Sequence, residues 1–142
     1  ENDRLLLKLH EALGRFYHQE DGATEADRKL AAETVKQYGN LRMDSDIMRS
    51  KLYALLLPAY TISGNRQESE RLIGTLQAML PLIKAEQSRA LLLTTLYGCT
   101  NSCLYHTQAH EIIDKWRQEK NPKKSKAQLI QRLDDYDRWL GH

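Results

Sequence analysis

The chain has 142 residues and a mass of 16.5 kDa, the size of one domain with room for a real core. Hydrophobic residues make up 41% and charged residues 28%, which excludes intrinsic disorder, and two cysteines exclude a disulfide scaffold. With 21 basic and 19 acidic groups the net charge is +2, which by itself points to neither nucleic acid nor a membrane surface, and ten glycines and prolines together are too few for a sandwich or barrel.

Apolar residues recur at helical spacing from the start. Leu5, Leu6, Leu9, Ala12, Leu13, Phe16 and Tyr17 predict a first helix over residues 2–20, stopped by Asp21-Gly22. Thr24 with Asp27 three residues on predicts a capped second helix that runs to Tyr38, with Gly39-Asn40 closing it. Asp44, Ser45 and Asp46 offer the next cap, and Ile47, Met48, Leu52, Leu55, Leu56, Ala59 and Tyr60 form the third stripe, with a kink expected at Pro58. Ser63-Gly64-Asn65 is a tight turn. The fourth helix carries Leu72, Ile73, Leu76, Met79 and Leu80 and breaks at Pro81. A fifth spans Ala90 to Tyr97, ended by Gly98 or by Thr100-Asn101-Ser102. The sixth runs from Ser102 to Lys120, and Asn121-Pro122 stops it. Ser125 with Gln128 reads as a further capping box, before a seventh helix with Leu129, Leu133, Tyr136 and Leu140 and a glycine cap at Gly141.

These elements predict an all-α fold of about seven antiparallel helices, as stacked hairpins or an irregular bundle. Residues 1–142 read as a single domain: a hairpin stack over 1–120, and a helix over 125–142 too apolar to stand alone, which must dock. The longest apolar run, Leu52 to Tyr60, is far below the ~20 residues a membrane helix needs. Residue 1 is Glu, so a processed product or excised domain is expected, with room for an upstream signal peptide or anchor.

The 34 residues from Ser50 to Ile83 carry a pattern of their own. Tyr53, Leu56 and Tyr60 precede the Gly64-Asn65 turn. Ser69, Ile73 and Pro81 follow at the crossing, groove and closing positions of a second helix. In this the segment resembles a tetratricopeptide repeat. Leu57 and Leu76 depart from the family's small residues, and a rougher echo at Leu13, Gly14 and Tyr17 needs an inserted residue. The resemblance implies a stack of hairpins with a concave protein-binding face lined by Lys51, Ala54, Leu55, Thr61 and Ile62.

Charge is unevenly spread. Lys115, Arg117, Lys120, Lys123, Lys124 and Lys126 form a basic run with Glu119 as its one acid. It reads as a solvated loop, and the sharper alternative is a phosphate-contacting patch without base readout. Asp134, Asp135 and Asp137, with Arg132 and Arg138, read as an exposed charged face. Asp44 and Asp46 are cap residues, since the glycine and glutamate of a calcium loop are missing.

The candidate metal ligands are Cys99, Cys103, His106 and His110, at offsets 0, 4, 7 and 11. One continuous helix spreads them over about 16 Å, so they cannot share an ion, and the expectation is no stoichiometric metal and no cofactor. A partial site of Cys103, His106 and His110 needs help from another helix or a second subunit. A break near Gly98 and Asn101 would allow a Cys99–Cys103 disulfide.

No P-loop, dinucleotide turn, zinc-protease motif or nucleophile elbow is present, so no catalysis is expected. Seven tyrosines and two tryptophans against one phenylalanine favour an interface. The function expected is a bacterial, non-catalytic adaptor that holds a partner's peptide or helix, or pairs with itself as a homodimer, in the cytoplasm. The alternatives are the regulatory domain of a transcription regulator and a periplasmic or lipoprotein adaptor.

Overall fold

The computed structural model describes residues 2–18 and 22–142. Among them are seven α-helices and no strand: α1 (Asn2–His18), α2 (Glu25–Tyr38), α3 (Asp46–Ser63), α4 (Arg66–Met79), α5 (Glu86–Thr100), α6 (Cys103–Trp116) and α7 (Lys124–Leu140). The predicted end of the first helix, Gln19 to Asp21, lies outside the described residues. A 3₁₀ turn over Leu80–Leu82, opened by Pro81, follows α4. No described helix is long and apolar enough to cross a membrane.

Two helices are apolar nearly all round, and such helices are covered on every side. α3 buries Leu52, Ala54 to Tyr60 and Ile62, and α5 buries Leu92 to Gly98. They pack on each other at the centre. α1, α2 and α4 lie against α3, whereas α6 and α7 lie against α5. α1 also meets α7, so the array closes on itself. The packing of α1, α2, α4 and α5 around α3 overturns part of the predicted binding face: Ala54, Leu55 and Ile62 are core residues, Thr61 is half-buried and donates to the Leu57 carbonyl at 2.8 Å, and only Lys51 is exposed.

The predicted starts hold where a side chain can reach back to the backbone. Thr24 accepts from the Asp27 N–H at 3.1 Å, Ser45 from Met48 at 3.1 Å and Asn65 from Glu68 at 3.2 Å. Gly64 ends α3 with φ of 74°, a conformation that suits glycine. α3 continues through the buried Pro58 to Ser63.

Two local expectations are corrected and one alternative is decided. Of the two ends offered for the fifth helix, Asn101 caps it and Gly98 does not. Gly98 lies inside α5, and the Tyr136 ring of α7 occupies the space a Cβ would need. Ser125 does not cap α7, because the cap position is Lys123 and the Ser125 hydroxyl reaches Gln87 instead, at 2.9 Å. α6 stops at Trp116, so after Lys115 in its last turn the basic run falls in the connection and the first turn of α7.

α7 docks on its own chain, against α5, α6 and α1. Leu129, Leu133 and Tyr136 are buried there, and Trp139 covers Gly14, where a Cβ would stand 2.7 Å from the indole.

Candidate functional site

A cavity of about 650 Å³ opens at one end of the array. Asp3 and Leu6 of α1, Ile47 and Lys51 of α3, Glu86 to Ser88 of α5 and Ser125 to Arg132 of α7 border it. Each of these lies in the N-terminal half of its helix, except Arg132, which stands at the midpoint of α7. The four helices therefore run in the same direction, and their N-termini, the positive ends of their dipoles, converge on this end. Neither α5 nor α7 has a side-chain N-cap, unlike α2, α3 and α4.

Arg132 forms part of the wall. It is only 9% exposed, its Nε is enclosed without a hydrogen-bond partner, and burial pushes its pKa down. Asp3 and Asp135 are near enough to favour its charge, but neither is in ion-pair contact with it. An enclosed Nε–H without a partner is costly, and buried donors are paired in ordinary cores. Glu86 is already engaged: it accepts from the Trp116 indole at 3.0 Å and lies 3.5 Å from the Lys115 ammonium, which holds its carboxyl below its ordinary pKa. The apolar wall is Leu6, Leu91 and Leu129, with Ile47 half-exposed at the border. This arrangement can accept an amphipathic group that brings a negative charge inward.

Arg132 also borders a smaller cavity of about 140 Å³, shared with His10 and Asp135. His10 lies 2.9 Å from Asp135 through Nε2, between the Tyr136 and Trp139 rings. Desolvation, reinforced by Arg132, lowers its pKa to about 4 despite the carboxylate.

The predicted exposed face of α7 is thus interior except at Arg138, which is exposed. Arg132 is buried, and Asp134, Asp135 and Asp137 are half-buried acceptors for other helices. Asp134 takes Arg117 at 2.7 Å, Asp135 takes His10, and Asp137 takes Tyr97, His106 and His110.

The four predicted metal-binding residues separate. Asn101, left-handed at φ of 56°, breaks the chain between α5 and α6 and leaves Cys99 on the first of them. Cys99 and Cys103 are both free thiols, so the disulfide does not form. Burial pushes the Cys99 thiol up to about 12. Cys103 is exposed at the start of α6. His106 and His110, four residues apart on one face of α6, turn instead to Asp137. Burial disfavours the His110 cation, but its bonds to Asp114 and Asp137 outweigh this and raise its pKa.

Half of the basic run neutralises itself. Lys115 pairs with Glu86, Arg117 with Asp114 and Asp134, and Lys126 with Glu119 at 2.9 Å, where it also lies over the Trp116 ring. Lys120, Lys123 and Lys124 are exposed.

No protein-family model matches the chain, so the tetratricopeptide resemblance gains no support at family level. No curated protein matches it either. Among solved structures the fold is similar to that of a transcription anti-terminator antagonist, UpxZ from Bacteroides uniformis, with a TM-score of 0.63 and 14% identity over 97% of this chain and 93% of that one.

Proposed function

We propose that the chain is a non-catalytic regulator that binds a protein of the transcription machinery, holding an acidic, amphipathic segment of that partner in the 650 Å³ cavity. The observation that carries the reading is Arg132, a largely buried cation with no carboxylate in ion-pair contact, in the wall of a cavity lined from the N-terminal halves of four helices. A partner carboxylate placed there gains a charge-assisted hydrogen bond and relieves the guanidinium at once. Apolar side chains of the same segment cover Leu6, Ile47 and Leu91, and Lys51 meets further acid at the border. An arginine does not give up its proton in a protein, so the group that dominates the cavity suits recognition better than acid–base catalysis. The likeness of fold to an anti-terminator antagonist, spanning nearly the whole chain, is why transcription is named as the setting. The reading implies a cytoplasmic protein.

The test is terminator read-through in a reconstituted bacterial system driven by an anti-terminator. The chain is expected to suppress read-through at stoichiometric amounts, and Arg132→Met to abolish suppression while the protein stays folded. A photo-crosslinker at Ile47 is expected to join the anti-terminator itself. Unchanged read-through with no crosslink refutes the reading. A crosslink without suppression keeps the docking surface and removes the antagonist role.

A further inference from the structure

We propose that His106, His110 and Asp137 form a binding site for a zinc-class divalent cation that clips α7 to α6. This site is separate from the cavity and does not rest on the function proposed above. His106 Nε2 lies 3.0 Å from Asp137 Oδ1, and His110 Nε2 lies 2.7 Å from Asp137 Oδ2. One ligand atom from each of the three residues falls within 4.8 Å of the others. Two imidazoles and a carboxylate suit zinc, and also cobalt, nickel and copper, rather than magnesium or calcium. Tetrahedral ligands about 2.0–2.2 Å from zinc stand roughly 3.3 Å apart, so a small opening of the cluster admits the ion. The Nε2 lone pairs then take the metal: a cationic ring such as His110 releases its Nε2 proton to solvent and keeps the Nδ1–H on Asp114, and a neutral ring moves its single proton from Nε2 to Nδ1.

The surroundings are those of a supported ligand set. His110 Nδ1 is held by both oxygens of Asp114, at 3.0 and 3.1 Å, which aims Nε2 inward. Asp114 is in turn fixed by Arg117 at 2.9 Å, and Arg117 by Asp134 at 2.7 Å. Asp137 Oδ1 accepts the Tyr97 hydroxyl at 2.7 Å, which fixes the carboxylate. The three ligating side chains are 18–26% exposed, so an ion can reach them and a water can complete the shell. The His142 ring stacks on His106 at 4.6 Å between centroids and covers one face of it. The partial site expected on α6 thus gains its missing ligand from α7, and the ligand is Asp137 in place of Cys103.

The experiment titrates Zn²⁺ into the full chain after chelator dialysis, with Co²⁺ as an optical probe. One zinc per chain is expected, with a visible Co²⁺ absorption band and a melting temperature raised by roughly 5–10 °C at free zinc about 100 times Kd. His106→Gln and His110→Gln are each expected to abolish binding, and Cys103→Ser to leave it unchanged. Asp114 is a positioning residue on the surface, and Asp114→Asn is expected to weaken zinc about 10- to 100-fold without unfolding the chain. In the unmodified protein, zinc is expected to shift the imidazole NMR signals of His106 and His110 and to leave His10 in place. Binding below one equivalent, binding that survives both histidine substitutions, binding lost in Cys103→Ser, or unmoved His106 and His110 signals would each overturn the site.

Discussion

The Tyr136 ring of α7 lies directly on Gly98 of α5, in the space where any larger residue would carry its Cβ. The Gly98 carbonyl also accepts the Tyr17 hydroxyl from α1. A single glycine therefore joins three helices. Its lack of a side chain is what lets α7 approach the centre of the array. Gly98→Ala is expected to cost about 1–3 kcal/mol, because the ring must move off a helix that is buried on that side. Thermal unfolding of the variant measures the loss. A variant as stable as the parent would show that α7 adjusts freely and does not bear on α5.

Leu133, one turn before Tyr136, is fully enclosed. Leu133→Ala is expected to cost about 2–5 kcal/mol by creating a cavity under α7. Deletion of residues 122–142 removes Trp139 from Gly14 and Tyr136 from Gly98, and is expected to lower the melting temperature sharply. If the truncated chain melts like the parent, the docking seen here contributes nothing to stability.

Much of the architecture was legible because helices declare themselves locally. Thr24, Ser45 and the turn at Gly64 act within four residues of the groups they satisfy, so their chemistry is visible in a short window. The relation of α7 to the rest was not. Asp137 is 27 residues beyond His110, and no local pattern tells which face of α7 meets α6. Arg132 was the readable exception. Leu129, Arg132, Leu133 and Tyr136 stand at i, i+3, i+4 and i+7, so helical period alone places the arginine on the buried stripe. Its acidic neighbours Asp134 and Asp135 made the segment look solvated. The core position of Ala54 and Leu55 was hidden for a different reason. It follows from α1, α2, α4 and α5 all packing on α3, which no short window of sequence displays.

Arg132 separates stability from binding. In the free protein its Nε is enclosed without a partner, so Arg132→Met, which keeps the length and apolar body of the side chain, is expected to leave stability unchanged or raise it by about 1 kcal/mol or more. Partner binding is expected to be lost in the same variant. Denaturant unfolding and the read-through assay measure the two effects. A clear drop in stability would make Arg132 a structural residue of the free fold and remove the main support for the cavity as a docking site.

The last expectation concerns acid. His10 faces Asp135, Arg132 and Arg138, and sits between two aromatic rings; its pKa falls from 6.5 to about 4 on folding. The unfolded chain therefore holds a proton at this histidine between those values while the folded chain does not, and stability declines as pH falls through that window. Above pH 6.5 the full contribution is present, and below about 4 both states are protonated and the decline from this group ends. The whole swing is about 3 kcal/mol at 1.36 kcal/mol per pH unit. His10→Gln keeps an amide donor for Asp135 but does not titrate, so its stability curve is expected to be flatter between pH 6.5 and 4. Asp27, held low by its bond to Arg15 at 2.8 Å, loses its stabilising charge only as pH falls through the lower carboxylate range, and it does so in both proteins. The difference between the two curves thus reports His10 together with its partner Asp135, whose carboxyl is held low in part by the His10 bond. Equal slopes for parent and variant across that window would show that His10 takes up its proton within the folded state.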